Sequence, residues 1–234
     1  MTEAGHLRVP QWQTGQLAPV AAAREDVEGP VLTGDARRLA ERTIAKYPVR
    51  RSALVPLLYL VQSEVGWVPR QGMREVAEIL GLTTAEVEAV ATFYTMLKLH
   101  PCGKYVVSIC TNPSCALLGG RALYERAKEI LGEQCEHITP DGMFTLEEEE
   151  CLAACDKAPV LAVNYLFYDR VSQELLERMI EGIRAGHVPE AARGGVPGEL
   201  KDVSRTLAGM GSQTPPQPDT VPAGEGEGGG APGG

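Results

Sequence analysis

Long apolar runs, basic residues and aromatic residues are all scarce in this chain of 234 residues. The longest apolar run, residues 53–61, has nine members and includes Pro56, whereas a membrane-spanning helix needs about 20 apolar residues. Lys and Arg number 22 against 31 Asp and Glu, which gives a net charge of -9. Because nucleic-acid binding requires a basic surface, the sequence argues against a nucleic-acid partner and excludes a direct membrane span.

Several catalytic and cofactor motifs are also missing. The chain has no P-loop, no glycine-rich phosphate loop between a strand and a helix, and no nucleophile–base arrangement. It therefore has no recognisable means of binding NADH or a flavin by itself. The absence of C-x2-C argues against thioredoxin-type dithiol exchange.

The N-terminal segment, residues 1–34, lacks the pattern of a signal peptide and is too acidic for a typical transit peptide. We expect a protein of the reducing cytoplasm, where clustered cysteines bind metal more often than they form disulfides. The apolar residues of this segment show no periodicity. They predict an extended N-terminal segment that orders against a partner, with a flexible terminus as the alternative.

The charge distribution divides the rest of the chain. Residues 35–103 carry nine basic and seven acidic side chains, whereas residues 104–190 carry eight and fifteen. Helix-breaking Pro and Gly residues also occur at 101–103. We therefore predict a helical bundle over residues 35–100 and a second domain over residues 101–187.

Apolar residues at helical spacing predict about four helices in the bundle. Gly66 and Gly81 are the expected ends of two of them. Ser52 is the expected cap of one helix, and Thr83 with Glu86 has the form of a capping box before another. Four large side chains are predicted mainly as core, with interface anchors as the alternative: Trp67, Phe93, Tyr94 and Met96.

The second domain mixes strand and helix periods in the order β-α-β-β-β-α, and so the predicted fold class is α+β. The expected elements are strands at 104–109, 143–149, 160–165 and 167–171, and helices over 117–131 and after Ser172. Residues 188–234 are predicted to form a Gly/Pro-rich, largely disordered tail.

Four of the six cysteines form two spaced pairs. Cys110 and Cys115 make C-x4-C, and after 35 intervening residues Cys151 and Cys155 make C-x3-C. Each pair is expected where a strand ends, so that two loops at one end of a sheet bring four thiolates together. Four cysteines suit structural zinc or an iron–sulfur cluster. The wide spacings favour a binuclear centre, since zinc sites usually use C-x2-C.

These motifs resemble a known family. The C-x4-C pair, followed by ECLAAC at 150–155, resembles the thioredoxin-like 2Fe-2S ferredoxins. The helical region, with GWVP at 66–69 and ATFY at 91–94, is similar to one branch of that family. This branch contains the E-type (24 kDa) subunits of NADH–quinone oxidoreductase, respiratory complex I. The similarity covers both predicted domains.

The resemblance implies a thioredoxin-like domain with one 2Fe-2S cluster on Cys110, Cys115, Cys151 and Cys155, and no complete catalytic site in this chain. It implies that the helical domain docks on the flavoprotein subunit (F type) that binds NADH and FMN, beside the large iron–sulfur subunit. The cluster would lie near the FMN and store single electrons. The implied location is the cytoplasmic side of the peripheral arm in bacteria, or the mitochondrial matrix in a eukaryote.

Three features stand apart from the motif. Family members often have Gly where this chain has Ala153, and we expect Ala to be tolerated unless the backbone needs a positive φ. Cys102 and Cys135 are predicted to be free thiols. The acidic run at 147–150 is expected to lower the cluster potential by opposing the added electron. The alternative is a solvated strand whose alternate side chains point away.

Two other functions stay open at this point. The same module resembles subunits of NAD-linked hydrogenases and formate dehydrogenases, which differ in the partner flavoprotein. A zinc-stapled binding module without a redox role belongs to another class and predicts a colourless protein with one zinc per chain.

Overall fold

The computed structural model describes residues 26–132 and 138–210. The predictions for residues 1–25, for Cys135 and for residues 211–234 lie outside these ranges. The helices are α1 (Gly34–Ile44), α2 (Leu54–Val65), α3 (Arg70–Leu80), α4 (Thr84–Phe93), α5 (Pro113–Leu117), α6 (Gly120–Leu131), α7 (Gln173–Arg184) and α8 (Leu200–Arg205). The strands are β1 (Tyr105–Cys110), β2 (Phe144–Glu149), β3 (Leu161–Val163) and β4 (Leu166–Tyr168). No helix in the described ranges is long and apolar enough to cross a membrane.

The N-terminal half is built around α2, whose side chains are buried along most of its length. A helix that is apolar on every side belongs inside a core, and α1, α3 and α4 accordingly contact it. Gly66 and Gly81 follow α2 and α3 directly. The four predicted helices are therefore present, with the expected stops.

The two predicted caps of this half had different outcomes. Thr83 Oγ1 accepts from the Glu86 amide at 3.3 Å, and Glu86 Oε2 accepts from the Thr83 amide at 3.0 Å, which confirms the capping box. Ser52 does not cap α2, because a 3-10 turn over Arg50–Ala53 runs directly into that helix. Ser52 lies within this turn, and Ala53 occupies the cap position.

The second half contains a four-stranded sheet in the order β2-β1-β3-β4. Strands β1 and β2 are parallel, with Cys110 opposite Glu149, while β3 is antiparallel to both β1 and β4. One sheet face packs with α6 and α7 around a core that includes Val107, Ile109 and Phe144. The predicted α+β class and the predicted element order are confirmed.

One predicted helix, over residues 117–131, is divided in the structure. It begins earlier than predicted, as α5, and is interrupted before α6 by Gly119 at φ +100°. A left-handed residue cannot continue a right-handed helix. This break lets the chain turn between Cys115 and the body of α6.

Regular structure extends beyond residue 188, where the sequence pattern predicted the tail to begin. Helix α8 packs on α2, and its Leu200 and Ser204 are buried. A six-residue helix contains too few apolar positions to show a periodic pattern, which explains why the sequence did not reveal it. We propose residues 35–100 and 101–187 as the two domains, with residues 188–210 packed against them.

Candidate metal centre

The two cysteine loops follow two parallel strands and lie at the same end of the sheet. Strand β1 ends at Cys110, and its parallel neighbour β2 ends at Glu149, two residues before Cys151. Because parallel strands point the same way, the segments that follow them leave from the same edge. The expectation that both loops lie at one end of the sheet is therefore met.

The first pair of cysteines is buried. Cys110 and Cys115 are 3% and 2% exposed and pack with Ala158 and Val160. Gly120, at the start of α6, lies directly against this loop, since a Cβ there would fall 2.6 Å from the Cys110 carbonyl oxygen. Only glycine allows this close approach of α6 to the cysteine loop.

The second pair of cysteines is exposed. Cys151 and Cys155 lie in the loop after β2, and the Ala153 amide donates to Cys151 Sγ at 3.3 Å. Ala153 has φ +56°, in the left-handed region that favours glycine. Alanine was expected to be tolerated at this position unless the backbone has a positive φ. Because the backbone does have one, we expect Ala153 to be strained.

The electrostatics of Cys115 connect three of the four sulfurs. Burial raises the pKa of the Cys115 thiol to about 11, and the backbone amide of Val160 opposes this rise by hydrogen bonding to the sulfur. Cys110 and the charge of Cys155 raise the pKa further. The two loops also touch, because Leu152 and Ala154 of the second loop pack against the hydrophobic cluster that contains Cys110 and Cys115.

The donor set fits an iron–sulfur group. All four cysteines of the two motifs are free thiols, and backbone amides donate to the sulfurs of both Cys115 and Cys151. Thiolate ligands and amide hydrogen bonds to sulfur are the features by which proteins hold and tune such clusters. Within residues 26–132 and 138–210, no three His, Cys, Asp or Glu side chains converge to hold one metal ion.

The acidic run at 147–150 divides between the two faces of the sheet. Glu147 pairs with Lys98, with Nζ–Oε2 at 2.7 Å, whereas Glu148 points to the other face and accepts from Thr111 Oγ1 at 2.7 Å. Burial, and then the charge of Glu147, raises the pKa of Glu149, while Lys98 opposes the rise. Each hypothesis for this run is therefore supported in part. Alternate side chains point to opposite faces of the sheet, as the solvated-strand alternative expects, whereas Glu149 is partly buried, as an effect on the cluster potential requires.

Several predicted residues have a different environment from the one expected. Trp67 is buried, as predicted for a core residue, but Phe93 and Tyr94 are 76% and 46% exposed. Their rings stack edge to face at 5.1 Å. Cys102 is a free, half-buried thiol, as predicted, and burial raises its pKa to about 12.

Sequence reasoning missed two features near the cysteines. Leu117 and Leu118 follow the first pair and are 86% and 61% exposed, which the apolar pattern of the predicted helix over 117–131 did not indicate. The second feature is Lys98, the buried partner of Glu147. Its position between Leu97 and Leu99 was the available signal, since a charge amid apolar residues is rarely buried without a partner.

Comparison with known proteins places this geometry in context. The profile of the thioredoxin-like [2Fe-2S] ferredoxins matches residues 40–184. The chain is 45% identical over 176 residues to the E-type subunit of the NADH-quinone oxidoreductase of Mycobacterium tuberculosis, and the match covers 75% of this chain and 70% of that protein. It is 41% identical over 155 residues to NADH-quinone oxidoreductase subunit 2 of Thermus thermophilus, covering 65% of this chain and 86% of that protein.

A solved structure also shares the fold. A crystal structure of an NAD+-reducing [NiFe]-hydrogenase in the air-oxidized state matches with a TM-score of 0.51 at 22% identity. The match covers 57% of this chain and 23% of the hydrogenase chain. At this level of identity the similarity concerns the fold alone.

Proposed function

The chain belongs to the thioredoxin-like [2Fe-2S] ferredoxin family, and on that premise we propose that it is the electron-transfer subunit, of the E type, of an NADH–quinone oxidoreductase. One observation carries the proposal. The relatives named for this enzyme are 41–45% identical and match across both halves of the chain. Two cysteine pairs at one end of the sheet supply the chemistry that such a subunit needs.

We infer that Cys110, Cys115, Cys151 and Cys155 hold one 2Fe-2S cluster. Such a group, when bound, takes up and gives back single electrons and makes or breaks no substrate bond. Cys110 and Cys115 would hold it from the protein interior, and Cys151 and Cys155 from the solvent side. The exposed side is the one that a partner can approach.

The inferred partner is a flavoprotein subunit of the F type, which binds NADH and FMN, with the large iron–sulfur subunit beside it. Exposed apolar side chains favour a docked subunit, because soluble surfaces rarely present them in groups. Leu117 and Leu118 lie next to the buried cysteine pair, and Phe93 with Tyr94 ends α4. The proposed place is the cytoplasmic side of the peripheral arm, with the cluster near the FMN.

The first experiment measures what the cysteines hold. We expect the full chain, purified without air, to be red-brown, to contain two irons and two sulfides, and to show a spin-half EPR signal only after dithionite reduction. These numbers are those of a single 2Fe-2S group. A colourless protein with one zinc would overturn the electron-transfer function and favour the zinc-stapled module.

The second experiment identifies the enzyme. Co-expression of a tagged chain with its neighbouring genes is expected to recover a flavoprotein with FMN and NADH-dependent quinone reduction. Recovery of hydrogen- or formate-dependent NAD reduction instead would assign the chain to an NAD-linked hydrogenase or formate dehydrogenase. The fold similarity to the NAD+-reducing hydrogenase makes this the alternative to test.

A further inference from the structure

A nearly buried ion pair joins the two halves of the protein. Lys98 Nζ lies 2.8 and 2.7 Å from the two carboxylate oxygens of Glu147 and also donates to the Thr95 carbonyl at 3.0 Å. The side chains are 5% and 21% exposed. Since such charges are screened less by water and salt than exposed ones, removing either one is expected to change the electrostatic field around the pair.

The backbone of Lys98 is held by the helical half. Its amide donates to Gln62 Oε1 at 2.7 Å, and its carbonyl accepts from the Val68 amide at 2.7 Å. Gln62 is itself fully buried and donates to Ser204 Oγ at 2.9 Å. Lys98 is thus fixed at both backbone groups before its side chain reaches β2.

Glu147 shares a sheet face with a buried cysteine. Ser108 is opposite Glu147 in the β1–β2 register, and its Oγ lies 3.3 Å from Glu147 Oε2. Side chains two residues apart on a strand lie on one face, about 7 Å apart along it. Cys110 is two residues after Ser108, and so the ion pair and Cys110 face the same side.

We propose that Lys98 is a positioning residue which fixes Glu147 beside the cluster site and cancels its charge, so that Glu147 does not make the cluster harder to reduce. The inference rests on the proposed function, because it needs a cluster on the four cysteines. A negative charge near a cluster opposes the incoming electron, and a positive charge favours it. The two members of the pair must therefore act in opposite directions.

The test is an EPR-monitored redox titration of the loaded full chain. Glu147→Gln leaves Lys98 uncompensated and is expected to favour reduction about tenfold, which is a rise of about 59 mV for one electron. Lys98→Met is expected to shift the potential downwards, and the double variant to return it close to the wild-type value. Lys98→Arg keeps the charge and should preserve the potential.

Two further variants serve as controls for distance and for folding. Lys104→Met breaks an exposed pair with Glu199, Nζ–Oε1 at 2.8 Å, at the far end of β1, and is expected to leave the potential unchanged. Since one unpaired buried charge can prevent folding, the exchanged variant Lys98→Glu with Glu147→Lys keeps a pair. It is expected to leave the potential close to the wild-type value, because two charges that cancel in the wild type also cancel when they are exchanged.

Iron and sulfide content is measured for every variant before titration. Full cluster content with unmoved potentials, or with both single variants shifted in the same direction, would overturn the inference and leave the proposed function intact. A wild-type chain without iron would overturn both. Opposite shifts that cancel in the double variant would support charge cancellation within the pair.

Discussion

The two cysteine pairs are held in different ways. Cys110 ends a buried strand and Cys115 lies in a short helix pressed against Gly120. Cys151 and Cys155 lie in an exposed loop whose central residue, Ala153, has a left-handed backbone. One half of the site is therefore formed by secondary structure and close packing. The other half is an exposed loop that contacts the first through the partly buried Leu152 and Ala154.

The largest expected effect separates the two pairs directly. Cys110→Ala or Cys115→Ala is expected to lower iron content more than tenfold, since no replacement ligand can enter the buried side. Cys151→Ala or Cys155→Ala should recover cluster when an external thiol is supplied, because that side is open to solvent. Iron and sulfide assays with and without mercaptoethanol measure this. Equal, unrescued loss at all four positions would contradict the comparison.

The packing of the buried half is tested at Gly120. Gly120→Ala is expected to destabilise the metal-free protein by about 1–3 kcal/mol, because the new Cβ meets backbone rather than a movable side chain. Urea unfolding measures the change. The control is Gly198→Ala, whose Cβ would lie 3.6 Å from Asp202 Cβ, an ordinary contact, and whose expected effect is within about 0.5 kcal/mol. A similar small loss at Gly120 would show that the loop moves freely.

The charge beside the exposed half is tested with Glu149→Gln combined with Glu150→Gln. Removing both carboxylates is expected to raise the midpoint potential by less than about 59 mV, a tenfold change for one electron. Glu148→Gln serves as the control, since Glu148 is exposed and bonded to Thr111 on the other face. Redox titration measures all three proteins. An unchanged potential in the double variant would remove the hypothesis that the acidic run lowers it.

The smallest expected effect concerns the backbone of the exposed loop. Ala153→Gly is expected to stabilise the protein by up to about 1 kcal/mol, because glycine adopts φ +56° without steric cost. Ala154→Gly is the matched control, with φ -116°, where glycine should be destabilising by about 0.5–1 kcal/mol. Thermal unfolding of the metal-free proteins compares them. Destabilisation by both substitutions would mean that Ala153 is not strained.

Prediction from sequence succeeded where the signal is local. The capping box at Thr83, the glycine stops of α2 and α3 and the order of strands and helices all depend on residues a few positions apart. The prediction that Ser52 caps α2 was wrong, because a 3-10 turn leads into that helix. The helix predicted over 117–131 is present over Gly120–Leu131 and is interrupted before Gly120 by the left-handed Gly119, which does not disturb the apolar pattern. Helix α8 gave no sequence signal, since its place depends on α2, far away in the chain.

In the candidate site, too, the local features were predictable from the sequence and the tertiary contacts were not. The cysteine spacing predicted two loops at one end of a sheet, and the parallel β1–β2 pairing brings them there. Their different burial was not predictable, because it depends on which elements cover each loop. The exposure of Phe93 and Tyr94 was missed for this reason as well: helical spacing marks an apolar face and does not tell what packs on it.

The sequence by itself determined the two cysteine pairs, their spacing, the fold class and the family, because these are properties of residue identity and short-range order. Only the tertiary structure decided that Lys98 is buried against Glu147, that Glu148 faces away from it, and that Ala153 has a positive φ. Each of these depends on contacts or backbone angles fixed by distant parts of the chain. Charge compensation and strain arise from such contacts, and so they become visible only when the chain is folded.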